Sequence, residues 1–369
     1  MAQRYDIGFL GGGQLARMSI QAAQRMGLQC LSLDPGSDTP ASQIADAIQG
    51  ALNDPERIAE VFRQSNRVTL ENEFIPADAI QEAFEMAGVG EDILLPGVGA
   101  LSTIQDKLLQ RQAMEAAGVP SPRAITLDDP AKAAQTIGFP MVIKARFGGY
   151  DGKGTRYAKT AEELESFRDL WGRGGWLAER FVPFKRELAA MVFIDEHNRG
   201  CFPTMETVQT NHVCDLVFPS GADASEVAIA AVEAVGGKGL FGVELFELDS
   251  GEVLINELAP RPHNTGHYTL DWGGVSQFDQ HVRLVMQWPL GSPEGQETCM
   301  ANLLGQVGAK DFRDGAKAAI EDPGCHVHWY GKVESKPGRK MGPLNVMGGD
   351  NIVEPARLAR DRFYSAWTR

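Results

Sequence analysis

The sequence contains no apolar run long enough to span a bilayer, which excludes a helical membrane span within these 369 residues. It has five cysteines, Cys30, Cys201, Cys214, Cys299 and Cys325, an odd and scattered set without a CxxC pair. Neither a disulfide scaffold nor a zinc site fits that spacing, and a reducing, cytoplasmic setting is expected. Positive charge is short: 35 Lys and Arg against 49 Asp and Glu leave a formal charge of −14. Nucleic acid needs a basic footprint and is excluded as a partner. The opening MAQRYDIGFLGGG lacks the layout of a secretion signal. No internal repeat or low-complexity segment stands out. What is there is ordinary globular composition, 43% hydrophobic and 23% charged, at a length that calls for two or three domains. In so acidic a chain a local cluster of cations is informative, because an anionic ligand must be met by a pocket built against the overall field.

The densest chemistry lies in residues 241–267, FGVELFELDSGEVLINELAPRPHNTGH. Two runs rich in Val, Ile, Leu and Phe flank Asp249-Ser250-Gly251-Glu252, a pattern that predicts two antiparallel strands and a tight turn. With Ser250 and Gly251 at the turn centre, Asp249 faces Glu252, Phe246 faces Ile255 and Glu244 faces Glu257. Opposed residues share one sheet face with β-carbons roughly 5 Å apart, so two carboxylates there repel. A hard divalent cation such as Mg²⁺ resolves the conflict and leaves positions for nucleotide phosphates. A solvated acidic strand face would need no such ion. Asn256, Arg261, His263, Asn264 and His267 crowd the same stretch, however, and favour the metal–phosphate reading.

At the start of the chain, an apolar strand over residues 5–10 runs into Gly11-Gly12-Gly13-Gln14-Leu15-Ala16, a helix over 14–26, a strand over 28–33 and Asp34. That order is the shape of a dinucleotide fingerprint. The same glycines are needed wherever a helix packs tightly after a strand, so NAD binding and a purely structural unit both stay open at this point. A helix over 54–64 and a strand over 67–70 lead to Glu71 and Glu73, at the carboxyl end where open α/β sheets hold ligands. A helix over 101–117 follows, then a strand over 139–145 that carries Lys144 at its end. The loop after it has four glycines in seven residues, between Lys144 and Lys153, and suits a phosphate cover without matching the Walker pattern. Strands over 176–182 and 186–193, helices over 224–235 and 277–285 and a closing helix over 354–369 complete the pattern. Lys332, Arg339 and Lys340, on a glycine-punctuated ribbon, read as an anion clamp.

In this order GGGQLARM, TLENEF, QDK, GGYDGKG, INELAPRPHNTGH, YGK and PGRKMG resemble the motifs of ATP-grasp enzymes. More narrowly, they are similar to those of the 5-(carboxyamino)imidazole ribonucleotide synthase family of purine biosynthesis, and Ala259, two places after Glu257, suits that family better than biotin carboxylase. The resemblance runs nearly end to end. It implies an α/β chain with an ATP-grasp fold: an N-terminal Rossmann-like (pre-ATP-grasp) domain over 1–97, an ATP-grasp domain over 98–295 with its lid near 120–183, and a small C-terminal domain over 296–369. It also implies a cytoplasmic homodimer that uses ATP and Mg²⁺ to convert bicarbonate to carboxyphosphate, which then carboxylates the amine of aminoimidazole ribonucleotide.

Carried over by position, the ATP contacts would be Lys107, Lys144, Gly149, Tyr150, Asp151, Gly152, Lys153, Gly154, Thr155, Glu179, Arg180, Phe181, Val182, Glu187, Gln209, Asn256 and Glu257. Glu244 and Glu257 would bind the metal, and Arg261, His263 and Asn264 would serve catalysis at the bicarbonate. Gly13, Gln14, Leu15, Glu73, Lys332, Arg339 and Lys340, with Tyr150, Asp151 and Lys153, would hold the ribonucleotide. The fingerprint then holds substrate, and the NAD reading is dropped. Thr155, Gln209 and Pro343 depart from the family pattern, which has Gln, His and His there; a paralogue acting on a different amine is the second reading they leave.

Overall fold

The computed structural model describes residues 4–149, 154–348 and 351–368. The N-terminal pattern folds as β1 (Tyr5–Leu10), α1 (Gln14–Arg25), β2 (Cys30–Asp34), β3 (Asp46–Gln49), α2 (Pro55–Gln64), β4 (Ser65–Leu70), α3 (Ala77–Ala87) and β5 (Leu94–Leu95). The strands pair in parallel in the order β3-β2-β1-β4-β5, so the chain reverses direction across the sheet at β1 and β4. Helix α2 starts where Pro55 has a preset φ and Asp54 accepts from Glu56 N at 3.1 Å.

The helix expected over 101–117 is two helices, α4 (Val98–Gln105) and α5 (Lys107–Ala116). Asp106 makes the break. Its backbone is extended, its Oδ1 accepts from Leu108 N at 3.0 Å, and its carboxylate pairs with Arg146. Capping here sets Lys107 in the first turn of α5, with Arg111 one turn on along the same face.

A second sheet follows, built from β6 (Ala124–Thr126), β7 (Met141–Ala145), β8 (Thr155–Ala158) and β9 (Trp176–Arg180) in the order β6-β9-β7-β8, with α6 (Pro130–Thr136) and α7 (Ala161–Glu165) on one face. The largest sheet takes β10 (Arg186–Ile194), β11 (Arg199–Cys201), β12 (Met205–Thr210), β13 (Val213–Pro219), β14 (Gly239–Glu247) and β15 (Val253–Ala259). Helices α8 (Ser225–Ala234) and α9 (Gln277–Val285) pack on it. It continues through β16 (Thr298–Leu304), β17 (Cys325–Val327) and β18 (Lys340–Met347), covered by α10 (Phe312–Ala319) and α11 (Val353–Trp367). The unit expected over 296–369 therefore shares a sheet with the one before it, through Leu216↔Ala301 of β13 and β16.

Each layer has its own apolar seam. Val192, Val243 and Ile255 pack under Val232 of α8, while Phe363 and Trp367 of α11 close the far end beside Leu344. Buried side chains of that size each contribute about 2 kcal/mol or more. Phe278 and Val282 of α9 join Ile7 and Ile20 in one core, and Arg25 meets Asp279 at 2.8 Å. That shared core ties the N-terminal sheet to the central one and sets the walls of the cleft between them.

Candidate active site

The β14–β15 hairpin differs from its expected register and still delivers its carboxylates. The turn is one residue longer than expected: Gly251 N donates to Leu248 O and Leu248 N to Glu252 O, both at 2.9 Å. Gly251 takes a φ of +84°, which a residue with a side chain resists. Phe246 consequently faces Leu254 rather than Ile255. A β-bulge at Asn256 then absorbs one residue and restores Glu244 opposite Glu257. Burial first, and then the neighbouring charges of Glu257 and Glu187, push the Glu244 carboxyl up to about 7.

Cations from other elements converge on this pair. Lys107, at the start of α5, pairs with Glu257. The bulged Asn256 reaches Glu244 with Nδ2 at 3.4 Å and lies 3.5 Å from Lys144 Nζ through Oδ1. Lys144 is in turn held by Glu179 at 2.7 Å, and Glu179 also takes Arg111 Nε at 2.7 Å. Burial alone would raise the Glu179 carboxyl, but Arg111 and Lys144 outweigh it and bring it down to about 2. Arg111 Nη2 also donates to Asn256 O at 2.7 Å, so one guanidinium braces both the lysine's partner and the bulge.

A few residues away, Arg261 grips Glu73 through two hydrogen bonds, Nε to Oε2 at 2.5 Å and Nη2 to Oε1 at 2.8 Å. This fork joins the end of β4 to the segment after β15 and leaves part of the guanidinium's five donors for a ligand. His263 places Nε2 3.6 Å from Glu244, with Nδ1 2.9 Å from Thr265 Oγ1. Burial, then Arg261, drives its pKa well below the ordinary imidazole value, so the ring is neutral. Asn264 exchanges hydrogen bonds with Asn302 at 2.6 and 3.0 Å.

At the N-terminal sheet, Gly13, Gln14 and Leu15 open α1 against Glu71, whose Oε1 lies 3.4 Å from Leu15 N. A β-carbon at Gly13 would come within 2.3 Å of that oxygen. The Glu71 carboxylate thus sits where a dinucleotide's pyrophosphate would meet the helix, and Asp34 is committed to Gly12 N at 2.9 Å. Across the cleft Lys332 Nζ donates to Lys340 O at 2.6 Å, and Arg339 Nη1 donates to Glu334 O at 3.0 Å.

These groups share one cleft of about 1570 Å³. Every candidate named from the sequence that falls on described residues lines it, including Gly149, Gly154, Thr155, Arg180, Phe181, Val182, Glu187 and Gln209. Tyr150, Asp151, Gly152 and Lys153 lie outside the described residues. Gln209 and His212 flank the β12–β13 turn near Glu187, whose carboxyl is raised by burial and held in check by Gln209 and His212. Pro343 faces Asn302 within the sheet and does not line the cleft. Arg111 was not among the candidates; its spacing from Lys107 on one helical face was the available signal.

Three family models match the chain in order: the Ribonucleotide synthetase preATP-grasp domain over residues 4–105, the ATP-grasp domain over 112–278 and the Phosphoribosylaminoimidazole carboxylase C-terminal domain over 298–353. With the carboxylate pair and the lysines in one cleft, they define an ATP-grasp enzyme, an ATP-dependent ligase. The chain is 38% identical over 376 residues to the N5-carboxyaminoimidazole ribonucleotide synthase of Synechococcus elongatus, covering 96% of this chain and 92% of that protein. It belongs to the N5-carboxyaminoimidazole ribonucleotide synthase family. The phosphoribosylaminoimidazole carboxylase of Ogataea methanolica is 35% identical over 363 residues, and the chain spans 66% of its length. N5-carboxyaminoimidazole synthase from Aspergillus clavatus, solved in complex with ADP and 5-aminoimidazole ribonucleotide, matches with a TM-score of 0.87 at 30% identity over 99% of both chains.

Proposed function

We propose that this chain carboxylates the exocyclic amine of 5-aminoimidazole ribonucleotide with bicarbonate at the expense of ATP, through carboxyphosphate, in de novo purine biosynthesis. The observation that carries the reading is the opposed pair Glu244 and Glu257, set in one cleft with Lys107, Lys144 and Arg261 and faced by Lys332, Arg339 and Lys340. Two facing carboxylates, one with its pKa raised by burial and then by the other's charge, fit a divalent cation. Glu244 and Glu257 would hold Mg²⁺, which would supply positive charge to offset that of the nucleotide's phosphates.

The chain's own residues do the rest. Lys107 and Lys144 lie where negative charge builds on the transferring phosphoryl group as a bicarbonate oxygen attacks the γ-phosphorus and the bond to ADP breaks. Arg261, its plane fixed by Glu73, presents its remaining donors to the carbonate and then to the carboxyl of carboxyphosphate. The amine nitrogen next attacks that carboxyl carbon, phosphate departs, and the amine loses a proton. Lys332, Arg339 and Lys340 hold the ribonucleotide's phosphate against the N-terminal unit, residues 1–97.

Phosphate release measured with ATP, Mg²⁺ and bicarbonate, with and without aminoimidazole ribonucleotide, tests the reading. Release stimulated by the ribonucleotide is expected. Release stimulated only by a different amine, or no ATP turnover at all, overturns it.

A further inference from the structure

The lid sheet has a second face whose features the cleft does not explain. Side chains alternate along β9, so Glu179 points into the cleft and Arg180 to the other side, with Ala178 and Met141. Arg180 N donates to Arg123 O at 2.9 Å, and the neighbouring pair Ala124↔Glu179 fixes the register. Arg123 and Arg180 are therefore directly opposed on that outer face. Two guanidiniums so placed repel each other, just as two carboxylates do. Neither has a hydrogen-bond or ion-pair partner among the described residues, in a chain with 49 acidic side chains.

An open groove of about 560 Å³ adjoins them, floored by Ile137, Phe139, Pro140 and Phe181. Phe139 is 37% exposed, and Phe181, 36% exposed, turns its ring edge toward Tyr157 of the cleft wall, 6.4 Å away. Paired arginines call for an anion that both can fork around, such as a phosphate, and an exposed ring beside them calls for a flat apolar group. The volume suits a small molecule rather than a macromolecule. We propose that this outer groove binds a second nucleoside phosphate, its phosphates bridging Arg123 and Arg180 and its base resting on Phe139. The occupant would press on the strand whose opposite face lines the ATP cleft, since Arg180 and Phe181 belong to both walls.

Calorimetric titration of the full chain with ADP tests this. Two equivalents per chain of unequal affinity are expected. Arg123 is no part of the cleft, and Arg123→Ala should weaken the weaker equivalent by about tenfold or more while leaving the tighter one and the melting temperature unchanged. Phe139→Ala should weaken the same equivalent, and pyrophosphate should bind there less tightly than ADP. Lys144→Met should act on the tighter equivalent alone, which keeps a failure of the groove distinct from a failure of the cleft. A single equivalent in the unsubstituted chain, two undiminished equivalents in Arg123→Ala, or pyrophosphate binding as tight as ADP overturns the proposal.

Discussion

Glu244 and Glu257 stand directly opposite each other on β14 and β15, and Asn256, the bulged residue between the strands, reaches back to Glu244. The arrangement places two acids where each raises the cost of ionising the other. The pair stands on a rigid hairpin, with Lys107 on Glu257 and Lys144 beside Asn256.

Glu257→Gln removes one of those carboxylates without emptying a core position, because 41% of the side chain is exposed. ATP turnover should fall by about a hundredfold or more. The melting temperature should change little, since losing the pair with Lys107 offsets the relief of the repulsion against Glu244. Phosphate-release rates and a thermal scan check both, and a variant that still turns over ATP near the parent rate would remove the hairpin from the mechanism.

Acidity should control metal binding at the same place. With its carboxyl raised to about 7, Glu244 holds a proton in the metal-free protein at pH 6 and has lost it by pH 8. A metal ligand must be deprotonated, so Mg²⁺ should raise the melting temperature more at pH 8 than at pH 6. Without metal the sign runs the other way. The folded chain binds more protons than the unfolded one between the ordinary carboxylate pKa and about 7, so stability should decline as pH rises through that window. Thermal scans at both pH values with and without Mg²⁺ read out the two slopes, and equal Mg²⁺ shifts would count against Glu244 as a ligand.

Much of this hairpin was legible in the sequence, for a partly accidental reason. Assuming a two-residue turn at Ser250 and Gly251 misplaced Phe246 by one residue, yet Glu244 and Glu257 still face each other because the bulge at Asn256 cancels the longer turn. Alternating apolar residues reveal strands, whereas an extra residue absorbed inside a ladder leaves little trace in the pattern. The split at Asp106 was legible in principle, since an Asp followed by a helical run is an N-cap signature. What the sequence withheld is non-local. Arg111, Lys144 and Glu179 come from α5, β7 and β9, and only the packing of the lid against α5 makes them one cluster.

That cluster supports a third prediction. Glu179→Gln leaves Arg111 and Lys144 as buried cations without a countercharge, which costs about 3 kcal/mol or more. The loss should show as a lower urea midpoint together with a raised KM for ATP, because Lys144 no longer has an anchor. In the parent chain the folded carboxyl, held at about 2, lies below the unfolded value. The stabilisation it brings is present above the ordinary carboxylate pKa and is lost as pH falls toward about 2. Acid unfolding of the Gln variant should therefore be the less steep of the two, and an unchanged slope would mean the pair contributes nothing.

Arg339 tests the division of labour between the two walls of the cleft. It sits on the loop before β18, exposed, with one donor committed to Glu334 O, so Arg339→Ala removes charge without opening a cavity. If that loop grips the ribonucleotide's phosphate, KM for the ribonucleotide should rise about tenfold or more, the worth of a charge-assisted phosphate contact. KM for ATP should stay within about twofold, because Lys144 and Lys107, the lysines proposed for ATP, are anchored separately by Glu179 and Glu257. Raising the salt concentration should blunt the parent's advantage over the variant, as screening weakens an exposed contact. Steady-state kinetics with each substrate varied in turn give all three numbers, and equal rises in both Michaelis constants would place the loop's charge on no particular substrate.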